Sequence, residues 1–141
     1  MRLIFADTSF FYALSYQKDL HHQAAKEFLG RLKIPLLTTN YVFDELITIL
    51  RYDFSHKIAV EYGEKLRSSK LCSLTMVSPE DEEAAWHIFL KYDDQVFSFT
   101  DCTSFAIMKR LGLKEAACFD SHFDTAGFIR LPQVPLQHEK S

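Results

Sequence analysis

Apolar runs too short to be helices alternate along this chain with stretches at helical spacing, and two of the runs end in aspartate. Residues 2–6 and 116–119 are the first and fourth runs, followed directly by Asp7 and Asp120. Leu36-Leu37-Thr38, residues 71–77 and residues 128–131 complete five expected strands. Strands alternating with helices build an α/β fold: a mostly parallel central sheet flanked by helices on both faces. At 141 residues, without a repeat or an obvious linker, the chain reads as a single domain.

The intervening segments carry helix signals. A short helix is expected over 9–16, where Phe10, Phe11, Tyr12 and Tyr16 are placed mainly in the core. A second runs over 22–32, with Ala25, Phe28, Leu29 and Leu32 at helical spacing, and Pro35 ends that stretch. Phe43, Leu46, Ile47, Leu50 and Phe54 form the next stripe, with Asn40 as expected N-cap. Ser55 is expected to cap a fourth helix with a stripe of Ile58, Ala59, Tyr62 and Leu66. Ser78-Pro79-Glu80-Asp81 is a strong helix start: a capping Ser, Pro at the first position, acids in the first turn. That helix is expected to turn Trp86, Phe89 and Leu90 inward. Thr100 is expected to cap the last long helix, which carries Phe105, Met108 and Leu111 on one face and stops after Lys109, Arg110 and Gly112. From Pro132 onward the polar, proline-containing tail is expected to fray.

Strand ends and helix starts gather on one edge of a parallel sheet, the edge where ligands bind. Asp7 and Asp120 stand at strand ends; Glu45 and Asp101 stand near helix starts. Each has a local explanation too. Asp7 is a good N-cap before Thr8 and Ser9, and Asp101 is favoured by its helix dipole. Glu45 can occupy an exposed flank of its helix, and Asp120 a turn, with Asp124 four residues on as a competitor. One shared site explains all four more economically than four separate accidents. Four carboxylates on one edge repel unless a cation lies between them. A hard divalent ion such as Mg2+ prefers oxygen ligands and fits that need. Asp44 is expected to be solvated, His22 to brace its helix and His122 to be a surface residue.

Other chemistries lack their signatures. The three cysteines form no CxxC pair, which argues against a zinc site or disulfide framework and suits a reducing cytosol. No GxxxxGK[ST] or GxGxxG phosphate cradle occurs. The formal net charge of -3 does not by itself point to nucleic acid; setting the four acids aside brings it to +1, which permits it. The opening apolar run is too short for a signal peptide, and no later run could span a membrane. The chain is expected in the cytoplasm.

Taken in order, Asp7-Thr8-Ser9, Asp19 with His22 and Ala25, Glu45, Ser98-Phe99-Thr100-Asp101, and Asp120-Ser121-His122-Phe123 with Gly127-Phe128 resemble the PIN domain. The resemblance is strongest to the toxin nucleases of the VapC type and spans nearly the whole chain. It implies a PIN-like nuclease domain over 1–132 and a polar tail over 133–141. It further implies a metal-dependent endoribonuclease, the toxin of a toxin–antitoxin pair. Asp7, Glu45, Asp101 and Asp120 would be the catalytic, metal-holding acids for Mg2+ or Mn2+. Thr8, Ser9 and Thr100 would position those carboxylates or water. RNA would be the substrate, a small antitoxin the partner and a homodimer the assembly. The chain departs from many family members in carrying Cys118, where they have Thr two residues before the last acid; Ser121, Thr100 or a water would replace that hydroxyl. Two other readings remain: a PIN-like scaffold that binds RNA or protein without cutting, and an aspartyl-phosphate phosphotransfer domain. The latter wants a second acid at the position of Ser9.

Overall fold

A computed structural model describes residues 2–136. Its sheet has five strands, β1 (Ile4–Ala6), β2 (Leu36–Thr39), β3 (Cys72–Thr75), β4 (Glu115–Ala117) and β5 (Ile129–Leu131). The strand order is β3-β2-β1-β4-β5, and every pairing is parallel. The chain steps outward from β1 through β2 to β3, then crosses to the other side of β1 for β4 and β5. The direction therefore reverses between β1 and β4. In open parallel sheets that reversal opens a crevice at the carboxyl ends of the two strands, and Asp7 and Asp120 follow those ends.

Among the described residues seven helices cover the sheet: α1 (Thr8–Ser15), α2 (His22–Arg31), α3 (Asn40–Asp53), α4 (His56–Ser68), α5 (Pro79–Lys91), α6 (Phe99–Leu111) and the short α7 (His122–Thr125). Alternation along each strand divides the core in two. Ile4, Ala6, Leu36 and Ala117 pack with Phe10, Leu46, Leu50 and Leu66 from α1, α3 and α4. Phe5, Leu37, Ala116 and Cys118 pack with Ala85 of α5 and Cys102, Phe105 and Met108 of α6. The cluster at residues 10–16 serves the core, as expected: Phe10 is fully buried, and Phe11 and Tyr12 pack against the first layer.

The ends of elements moved relative to expectation. Thr39, not Asn40, caps α3 by accepting the Val42 N–H at 3.1 Å, while the Asn40 side chain accepts from Val77 N–H at 2.7 Å. Ser98, not Thr100, caps α6, because Asp101 three residues on completes a reciprocal capping box with it. Gly112 ends α6 in the left-handed conformation at φ 70°, where a side chain would be strained.

Two expectations fail on packing. Trp86, Phe89 and Leu90 are 47%, 40% and 56% exposed. α5 instead turns Asp81, Ala85 and Ile88 towards α6, and buried Asp81 is held by Arg110 at 2.7 and 3.0 Å. The stretch after Pro132 is also packed as far as it is described. Val134 and Leu136 lie against the α1–α4 layer, and Arg130 donates to the Val134 carbonyl at 2.7 Å. Residues 137–141 of the expected tail lie outside the described residues.

Candidate active site

Asp7, Glu45, Asp101 and Asp120 line one cleft of about 510 Å³. Asp7 enters it because β1 ends at Ala6 while its own N–H continues the pairing with β4, donating to the Ala117 carbonyl at 3.0 Å. Its carboxylate caps α1 and is held by Ser9, whose hydroxyl donates to Oδ2 at 2.9 Å. The same hydroxyl accepts the Phe119 N–H at 2.9 Å, so Ser9 ties Asp7 to the end of β4. Glu45, one turn into α3, accepts from the Thr8 hydroxyl at 2.5 Å. Asp101 is placed by the capping box of α6, with Oδ2 accepting the Ser98 N–H at 3.0 Å.

The electrostatics concentrate on Asp7. Burial, and then the charges of Asp120 and Asp101, push its carboxyl from an ordinary 3.8 up to about 8, against the opposing hydrogen bonds of Ser9. A carboxyl held among other acids in this way is a strong demand for a positive charge. The groups around it are chiefly carboxylates, whose oxygens suit a hard divalent cation. Asp101, Asp120 and His122 each offer an atom within 4.8 Å of the others. Asp7 and Glu45 reach the same cleft from β1 and α3.

His122 is the main residue that sequence reasoning misjudged. It is no isolated surface histidine: Nδ1 lies 2.8 Å from Asp101 Oδ2 and 3.7 Å from Asp120 Oδ1. Its N–H also donates to Asp120 Oδ1 at 2.7 Å. The signal was the Asp-Ser-His spacing, hidden because the four residues of α7 are too few to show periodicity. Tyr12, Asp19 and His21 also line the cleft, and His21 stacks on Phe119 with ring centroids 4.6 Å apart. Within Asp19-Leu20-His21-His22 it is His21 that lines the cleft, while His22 does what was expected of it. His22 braces its helix, with Nδ1 2.7 Å from the Ala13 carbonyl.

The remaining expected residues divide. Thr8 and Ser9 line the cleft; Thr100 is not among the residues that do, and its carbonyl accepts from Thr103. Asp120 rather than Asp124 reaches the cleft, since Asp124 pairs with Arg130 at 2.9 Å. Asp44 is exposed, as expected. Cys118 is buried in the α5–α6 layer, where burial raises its thiol pKa, so no side chain at 118 stands in the cleft.

Known proteins resemble this chain in sequence and in fold. Residues 4–129 match the PIN domain family. The 23S rRNA-specific endonuclease VapC20 of Mycobacterium tuberculosis is 35% identical over 129 residues, covering 92% of this chain and 98% of that one. Its crystal structure, described as a Sarcin-Ricin loop cleaving toxin, superposes with a TM-score of 0.85 over 89% of this chain and 96% of the other. A VapC ribonuclease of Archaeoglobus fulgidus is 29% identical over 96% of this chain and 84% of its own. At 9% identity, VapBC2 of Rickettsia felis, crystallised with a promoter DNA fragment, shares the fold with a TM-score of 0.70 over 91% of this chain and 96% of that one. The match in sequence and in fold means that this chain belongs to the PIN-domain family, in its VapC-type branch.

Proposed function

We propose that this protein is an endoribonuclease dependent on Mg2+ or Mn2+, and the toxin of a cytoplasmic toxin–antitoxin pair. The observation that carries the reading is the convergence of Asp7, Glu45, Asp101 and Asp120 in the crevice between β1 and β4 of a PIN fold. These four acids would hold the metal. When bound, such an ion lowers the pKa of water and neutralises phosphate charge during in-line displacement. Ser9 fixes the direction of the Asp7 carboxylate, and Thr8 fixes that of Glu45. His122 braces Asp101 and Asp120 against each other.

The substrate class follows from the relative. VapC20 acts on 23S rRNA, and a loop of that RNA is the first substrate to try here. Unstacked loop bases are the usual targets of RNA recognition. A small antitoxin is the proposed partner, and a homodimer the proposed assembly. The exposed apolar patch of Trp86, Phe89 and Leu90 supports a buried contact between copies. No helix among the described residues is long and apolar enough to cross a membrane.

The test is cleavage of total RNA and of isolated 23S rRNA with Mg2+, with Mn2+ and with EDTA. Discrete cuts that require the metal are expected. Equal cutting in EDTA would remove the metal from the reading, and intact RNA under all conditions would favour a binding scaffold.

A further inference from the structure

Outside the cleft, α3 and α4 approach closely: a Cβ built on Gly63 would stand 2.9 Å from Ile47 Cδ1. Beside that contact lies a second depression of about 660 Å³, lined by the apolar Phe43, Ile47 and Ala59 and by Arg51, Arg67 and His56. Arg51, Arg67 and His56 are exposed. Glu64 is the one acid in its lining among the described residues. Arg2, Arg110 and Arg130 each pair with a carboxylate, whereas no acid lies within ion-pair reach of Arg51 or Arg67 among the described residues. The Arg67 guanidinium sits over the Phe43 ring at 5.7 Å, which holds it at the groove. On a chain of net charge -3, two unpaired arginines in one groove are not the by-product of a basic surface.

The groove and the cleft both draw on α3. Glu45 and Ile49 line the cleft; Thr48, Arg51 and Tyr52 line the groove. Ile49 and Tyr52, at the border, are 36% and 83% exposed. We propose that the α3–α4 groove is a track for the RNA backbone: Arg51 and Arg67 bind phosphates beyond the cleavage site, and Tyr52 stacks on an unpaired base. The guanidinium fork matches phosphate oxygens, and an exposed aromatic ring offers a face to any base. The proposal rests on the RNA-cleaving reading, since it takes its ligand from there.

The experiment measures binding of a fluorescein-labelled single-stranded RNA across a salt series, in the uncut Asp7→Asn background. Adding Arg51→Ala and Arg67→Ala should weaken binding roughly tenfold or more, as expected when backbone contacts are lost. It should also flatten the log–log salt slope by about 1.4, the loss expected for two single-strand phosphate contacts. Arg51→Lys with Arg67→Lys should restore most of the affinity, which a merely structural role for the arginines would not require. Unchanged affinity and slope, while wild type cleaves RNA, overturn the groove and leave the nuclease reading standing. Arginine-dependent binding without cleavage by wild type in Mg2+ or Mn2+ does the reverse. Loss of antitoxin co-purification with RNA affinity unchanged would assign the groove to protein and overturn the proposal.

Discussion

Asp7 is the residue at which the cost of assembling this site is concentrated. Folding takes its carboxyl from 3.8 to about 8, because burial and two neighbouring acids disfavour the charge. A raised folded pKa contributes stability below the unfolded value and loses it as pH rises through the folded one. In metal-free protein, Asp7 therefore costs progressively more stability from about pH 4 to about pH 8, after which the penalty levels off. Asp7→Asn removes the charge and keeps the shape. Above pH 8, in EDTA, the variant should unfold at higher denaturant than wild type, by at least about 1.4 kcal/mol, the equivalent of one pKa unit. The same variant should lose at least about 100-fold in RNA cleavage, some 2.7 kcal/mol of barrier. A variant that is folded, no more stable and fully active would mean that Asp7 is neither strained nor catalytic. The position of this acid could be read from sequence because a strand end fixes it. The roles of His21 and His122 could not, because they depend on ring contacts made across the cleft from segments with no periodicity of their own.

At the scale of elements, helix starts do two jobs. The oxygen of Asp101 that accepts from Ser98 N–H is also the one facing His122, so the cap of α6 and the wall of the cleft are one group. The start of α5 uses the same box, yet its Asp81 serves packing: Arg110 bonds it and holds its carboxyl below the ordinary range. Removing Arg110 strands a buried charge. Arg110→Met should destabilise by about 2 kcal/mol near neutral pH, below the usual figure for a broken buried pair because Arg110 is half exposed. A depressed carboxyl contributes stability above its unfolded pKa of 3.8 and loses it as pH falls through its folded value. The difference between variant and wild type should therefore shrink in acid, which denaturant titrations across that range would read. A constant difference down to low pH would show that the loss is only packing. α5 also shows why its inward face was misread. Asp81, Ala85 and Ile88 recur at helical spacing, but an acid and an alanine are less conspicuous than Trp86, Phe89 and Leu90. Hydrophobicity marks a wish to leave water, and does not say which surface will provide the cover.

At the scale of the molecule, five strands and the long helices were legible because short apolar runs alternate along the chain with stretches at helical spacing. The lateral order of the strands was not. Each connection says that a parallel neighbour follows, but not on which side of β1 the fourth strand lands. That choice creates the crevice in which Asp7 meets Asp120. The same limit applies to what lies outside the monomer. Trp86 and Phe89 stack with centroids 5.7 Å apart, and with the exposed Leu90 they leave an apolar patch on α5. Patches of this kind mark contacts with other molecules. In a homodimer closed through this face, a carboxylate at position 90 would lose its water without gaining a partner. Since Leu90 is 56% exposed in the monomer, Leu90→Asp should spare the fold. Its dimer dissociation constant should rise at least about tenfold, equivalent to 1.4 kcal/mol. Sedimentation of both proteins over a concentration series, with a thermal melt of each, reads the two effects separately. A wild type that stays monomeric at the highest concentration would overturn the dimer, and a variant that dimerises as tightly as wild type would move the interface off α5.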